Sequence, residues 1–231
     1  MLAPFYGVAY SCHKSAYATI RRHSMQIYDT IFVVIIIIFS AIIHEVMHGV
    51  AADSLGDKTA RYAGRLTLNP IPHLDPFGSV ILPLIFALSG SPIFFGWAKP
   101  VPYNPYNLRP GRFSEAIVAG AGPASNLVIA LLAGIVIRLG FLGPVVGDVL
   151  FLIVAINVML CVFNLIPVPP LDGSKVLEAI LPRQLQYGYA SWRRRMEYQP
   201  FLGFGIVILI VMFLGGAFGN FIYTVAHLIA G

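Results

Sequence analysis

The chain alternates long apolar runs with short polar stretches. The runs cover residues 30–52, 78–97, 114–139, 147–166 and 201–229, and most charged residues lie between them. A helix needs about 20 mostly apolar residues to cross a bilayer, so the pattern predicts an all-α chain of membrane helices. The first run, IFVVIIIIFSAIIHEVMHGVAA, breaks its own rule by carrying His44, Glu45 and His48. A charged residue at membrane depth costs about 2.5–3.5 kcal/mol on insertion scales, which makes such residues functional candidates by default.

Composition agrees with the pattern. Hydrophobic residues make up 58% of the 231 and charged residues 11%, against roughly a quarter charged in soluble domains, and the mean hydropathy is +0.79. The expectation is a polytopic membrane protein with one membrane-embedded domain over residues 25–231. Residues 1–24, MLAPFYGVAYSCHKSAYATIRRHS, lack the order of a signal peptide, and Met25 before QIYDTIFVV is a more natural beginning, so this stretch reads as an extension outside the native protein. The net charge of +5 comes from Lys and Arg between the apolar runs. It therefore bears on membrane orientation, and nothing points to nucleic acid. Cys12 and Cys161 form neither a disulfide framework nor a CxxC pair.

His44-Glu45-Val46-Met47-His48 is an HExxH pattern. On a helix, positions i and i+4 share a face, so both imidazoles can reach one Zn2+ while Glu45 takes a proton from water. The bland reading places these residues at the interface, facing water near Asp53, Asp57 and Lys58. A catalytic zinc site takes three protein ligands, and Asp172, in FNLIPVPPLDGSKVLEAI, is the leading candidate for the third. Pro167, Pro169 and Pro170 break the helix there, and broken backbone at membrane depth is tolerated where it lines a cavity. Equally, Asp172 could cap the helix SKVLEAILP.

HExxH in an apolar helix, followed by N-x-x-P-x-x-P-x-D-G from Asn164 to Gly173, resembles the site-2 protease family of intramembrane zinc metalloproteases, the M50 peptidases. GDKTARYAGRLTLNPIPHLDPFG, FGWAKPVPYNPYN and AGPASN resemble its small bacterial branch in order and spacing, over about residues 40–180. The resemblance implies one zinc per chain on His44, His48 and Asp172, Glu45 as general base, and Asn164 as a donor to the carbonyl oxygen. It implies a three-helix catalytic core and a protease acting on single-span membrane proteins or membrane peptides within the lipid bilayer.

Topology constrains the second run. Were all five runs to span, Asp172 would lie across the membrane from His44 and His48. Pro83 and the turn SGSP at 89–92 leave VILPLIFAL too short to cross. Run two therefore reads as a re-entrant hairpin, with its returning arm IFFGWAKPVP extended. The arm Gly96–Val101 offers an edge to which substrate adds by β-augmentation. The core is then 27–52, 114–139 and 147–166, with a further C-terminal span near 201–229. Lys58, Arg61, Arg65, Lys99, Arg109, Arg112, Lys175, Arg183, Arg193, Arg194 and Arg195 fall on the active-site side, leaving Arg138 and the three N-terminal cations opposite. This predicts a multi-pass protein of the cell membrane with its site toward the cytoplasm. Trp192 to Arg195 is expected against anionic headgroups, and His73 is expected to bond its own loop. Two rivals are a membrane transporter, disfavoured by the lack of an inverted repeat, and a non-catalytic zinc-binding membrane protein, which would not need Glu45.

Overall fold

The computed structural model describes residues 32–81, 85, 98–141 and 143–231. Packing divides the chain into Met1–Ile38, whose described residues are helical, and Phe39–Gly231, which holds every contact described below. The 1–24 extension and most of the proposed hairpin at 78–97 lie outside the described residues.

Among the described residues, four helices are long and apolar enough to cross a membrane. They are α1 (Phe32–Ser54), α3 (Ser114–Arg138), α4 (Pro144–Asn164) and α7 (Pro200–Ala230), with a crossing window in α7 at Met212–Ala230. Between them lie the short α2 (Thr59–Tyr62), α5 (Asp172–Ile180) and α6 (Arg183–Tyr198), and no strand occurs among the described residues. The long helices match the predicted spans closely. Pro144 starts α4 a turn earlier than expected, at a first helical position where proline costs no hydrogen bond.

Small residues hold the bundle together. Ala119, Gly122, Asn126, Ala130 and Ala133 recur every three or four positions on the buried face of α3, letting backbones approach as membrane helix pairs require. Ala130 and Ala133 meet Val154 and Val158 of α4 and Ala226 of α7 in one core. The opposite face of α3, with Val128, Leu131, Leu132 and Ile135, is exposed, as are Met212, Phe213 and Leu214 of α7. Apolar residues facing outward suit a lipid solvent. Arg138 closes the C-terminal end of α7 by donating to the carbonyls of Leu228 and Ile229, and Arg112 does the same for α5 at Ala179 and Leu181.

The chain between α1 and α3 leaves and re-enters at one level. Asp57, fully buried, accepts from the Thr59 N–H (3.1 Å) and hydroxyl (2.5 Å), the Asn104 N–H (2.6 Å) and the Asn107 amide (3.0 Å). The Arg109 N–H donates to the Leu55 carbonyl at 2.7 Å. The later loop is thus tied to the end of α1, and the C-terminal half of α1 lies beside the N-terminal half of α3.

Arg193 departs from the headgroup expectation. It is buried and pairs with Glu178 (2.5 Å), Glu197 (2.7 Å) and Glu115 (3.5 Å), which ties α6 to α5 and α3. His73 behaves as expected, donating from Nε2 to the Thr67 carbonyl at 2.9 Å.

Candidate metal centre

α1 presents His44 and His48 one turn apart toward α3, with ring centroids 4.7 Å apart and planes nearly perpendicular. The carboxylate of Asp172, 128 residues beyond His44, comes from the first turn of α5. Its Oδ2 lies 3.2 Å from His44 Nε2 and 3.3 Å from His48 Nε2. The capping alternative fails here: α5 starts at Asp172 itself, its N-cap is Leu171, and no side chain caps it. Asp172 sits instead where the helix dipole favours a negative charge. Gly173 makes the placement possible, because a Cβ there would fall 2.2 Å from the Leu165 carbonyl oxygen.

The outer nitrogens of both rings are committed. His48 Nδ1 lies 2.7 Å from the Val118 carbonyl, which can only accept, so Nδ1 carries the proton. His44 Nδ1 donates to Asn126 Oδ1 at 2.6 Å. Each ring then turns its Nε2 toward the Asp172 oxygen, so two imidazole nitrogens and a carboxylate oxygen converge. Such a set calls for a positive charge between its members. For bonds of about 2.0–2.1 Å to zinc, a tetrahedral edge is about 3.3 Å, which matches the observed separations. The space is kept open by Gly122, whose Cβ would lie 2.5 Å from His48 Nε2 and 2.6 Å from His44 Nε2. The residues fit a zinc ion. Burial pushes the Asp172 carboxyl up, but the two imidazoles outweigh it and hold it at about 2.

Glu45 is the second carboxylate in reach, with ligand atoms of Glu45, His44 and His48 all within 4.8 Å of one another. Glu45 Oε2 is also engaged elsewhere, accepting from the Val101 N–H at 2.9 Å.

Asn164, at the C-terminal end of α4, is not drawn into this cluster: its amide donates to the Leu160 carbonyl at 2.9 Å. The arm Gly96–Val101 also differs from the expectation. Its first two residues lie outside the described set, and the rest is irregular backbone whose Lys99 and Val101 N–H groups and Lys99 and Pro100 carbonyls are taken by the protein itself.

The resemblance carried by AGPASN put Asn126 near the site, but sequence reasoning overlooked the buried polar chain that runs on from it behind the two histidines. Asn126 donates to Asn157 Oδ1 at 2.9 Å, and Asn157 donates to the Ser40 hydroxyl at 3.0 Å. Both asparagines are fully buried. Asparagine inside an apolar run was the available signal, since a lone amide there needs partners.

The sequence profile of peptidase family M50 matches residues 141–192. YwhC of Bacillus subtilis (strain 168), named as a zinc metalloprotease, is 32% identical over 192 residues, covering 79% of this chain and 80% of that protein. Rip2 of Mycolicibacterium smegmatis, also named as a zinc metalloprotease, is 30% identical over 206 residues, covering 87% and 74%. Rip2 of Mycobacterium tuberculosis (strain H37Rv) is 29% identical over 204 residues, again 87% and 74%. No solved structure matches the chain.

Proposed function

The chain belongs to peptidase family M50 and is an intramembrane zinc metalloprotease of the site-2 type, and from that premise we propose how its residues divide the work. His44, His48 and Asp172 hold the zinc, supported above all by the convergence of their two imidazole nitrogens and carboxylate oxygen in the space that Gly122 leaves open. When bound, zinc supplies Lewis-acid polarisation of the scissile carbonyl and acidifies water. Glu45 takes the proton of the attacking water and passes it to the departing amide nitrogen. Asn164 gives up its bond to Leu160, which is worth about 1 kcal/mol, and donates to the carbonyl oxygen as charge develops there.

The substrate is a single-span membrane protein or membrane peptide. Its helix unwinds locally, because a helical peptide bond keeps its carbonyl in the i to i−4 ladder. Eleven of the 15 Lys and Arg fall on the active-site side, which supports a multi-pass protein of the cell membrane with its site toward the cytoplasm.

The test uses purified protein in detergent and a labelled single-span test substrate. Wild type carries about one zinc per chain and cuts; Glu45→Gln keeps zinc without cutting; Asp172→Ala loses both. Undiminished zinc in Asp172→Ala would show the third ligand to be another group.

A further inference from the structure

Behind Glu45 stands a group that its chemistry does not require on its face. Arg65 is 7% exposed, and its Nη2 is spent on backbone: it donates to the carbonyls of Lys99 at 2.7 Å and Pro100 at 3.3 Å. Its Nε makes no hydrogen bond. A guanidinium out of water is expensive unless it is needed, and here it grips two consecutive neutral carbonyls.

The gripped segment is also held on its donor side. The Lys99 N–H donates to the His73 carbonyl at 2.8 Å, and His73, 1% exposed, is itself locked to Thr67. The next N–H along, that of Val101, donates to Glu45 Oε2 at 2.9 Å. Pro100 contributes no N–H, and its ring restricts the backbone between the two fixed points. A continuous run of bonds thus leads from Arg65 through residues 99–101 to one oxygen of Glu45, leaving the other oxygen for a proton.

We propose that Arg65 is a positioning residue for peptide hydrolysis: by holding the Lys99 and Pro100 carbonyls it sets the Val101 N–H that orients the Glu45 carboxylate. The proposal rests on Glu45 being the general base. Arg65 touches neither the metal ligands nor the reacting atoms, so its removal leaves zinc in place. What changes is the fraction of time that the carboxylate spends in a productive geometry, and misplacement by about 1 Å costs about 100-fold in rate.

The test is a double-mutant cycle in the full chain with zinc bound, read as kcat and KM on the single-span test substrate, with zinc content and thermal transition recorded for every variant. Arg65→Gln is expected to lower kcat by about 10- to 100-fold, as loss of outer-shell partners does, with KM within about threefold and zinc unchanged. Val101→Pro, which removes the N–H, lowers kcat similarly. The double variant is no slower than the slower single, because both act through one bond. Arg65→Lys, which keeps a cationic donor, falls between wild type and Arg65→Gln. Wild-type kcat in Arg65→Gln, or losses that multiply in the double variant, overturns the proposal. Should the glutamine variant not fold, the same cycle is read with Arg65→Lys. Glu45→Gln runs alongside: cleavage by that variant would refute Glu45 as the base, a failure distinct from an inert Arg65.

Discussion

Gly122→Ala tests the metal centre through a residue that carries no chemistry. The added methyl would stand 2.5 Å from His48 Nε2 and 2.6 Å from His44 Nε2, about 0.9 Å inside the ~3.4 Å at which ordinary contact begins. Neither partner yields easily, since each ring is tethered through Nδ1, to Val118 and Asn126. α3 cannot retreat either without opening its packing on α4 and α7. Relief by moving the rings costs about 1–3 kcal/mol in overpacking and shifts the nitrogens well beyond the ~0.2 Å that a zinc site tolerates. We expect zinc affinity to fall at least ~100-fold, equivalent to about 2.7 kcal/mol, with the metal-free protein still folded. Competition with a chromophoric zinc chelator gives the affinity, and a thermal transition of the stripped protein gives the folding control. An alanine variant that binds zinc as tightly as wild type would refute both the placement of the ion and the reason for the glycine.

Three further outcomes follow from the same contacts. Asn126→Leu strips His44 Nδ1 of its acceptor and Asn157 Oδ1 of its donor, so zinc affinity should drop about 10- to 100-fold; a chelator titration matching wild type would show the tether to be dispensable. Arg193→Met leaves Glu178, Glu115 and Glu197 facing one another. It should cost about 2 kcal/mol, below the 3–5 typical of a fully buried pair because Glu115 and Glu197 are partly exposed, and it should show as a lower thermal transition with zinc content intact. At Asp57, burial pushes the carboxyl up, but hydrogen bonds from Thr59, Asn104 and Asn107 outweigh it and hold it below the ordinary 3.8. A carboxyl depressed in the folded state stabilises fully above its unfolded value and loses that stabilisation as pH falls through the folded one. Melting followed from pH 5 downward should therefore fall more steeply in wild type than in Asp57→Asn below about pH 4; parallel curves would remove Asp57 from the acid response.

Much of the molecule is legible along the chain because its signals are local. Hydropathy sets the spans, since every residue in a crossing helix faces either lipid or another helix, and α3, α4 and α7 begin and end within a few residues of their apolar runs. His44 and His48 share a face through helical periodicity alone. The proline break before Asp172 is equally local, and parity of crossings then requires residues 55–113 to return to the side they left. Tertiary structure decided what depends on pairing distant segments. Asn126 meets His44 across 82 residues, and Val101 meets Glu45 across 56. Gly122 is one small residue among several in AGAGPAS, and only the position of two imidazoles makes it irreplaceable. Arg193 reads as one of three surface arginines until α5 and α3 bring it Glu178 and Glu115, and Arg65 reads as a loop cation until the chain returns with two carbonyls for it. Periodicity and hydropathy are properties of neighbours in sequence, whereas a hydrogen bond's partner is chosen by where the folded backbone places an unsatisfied group.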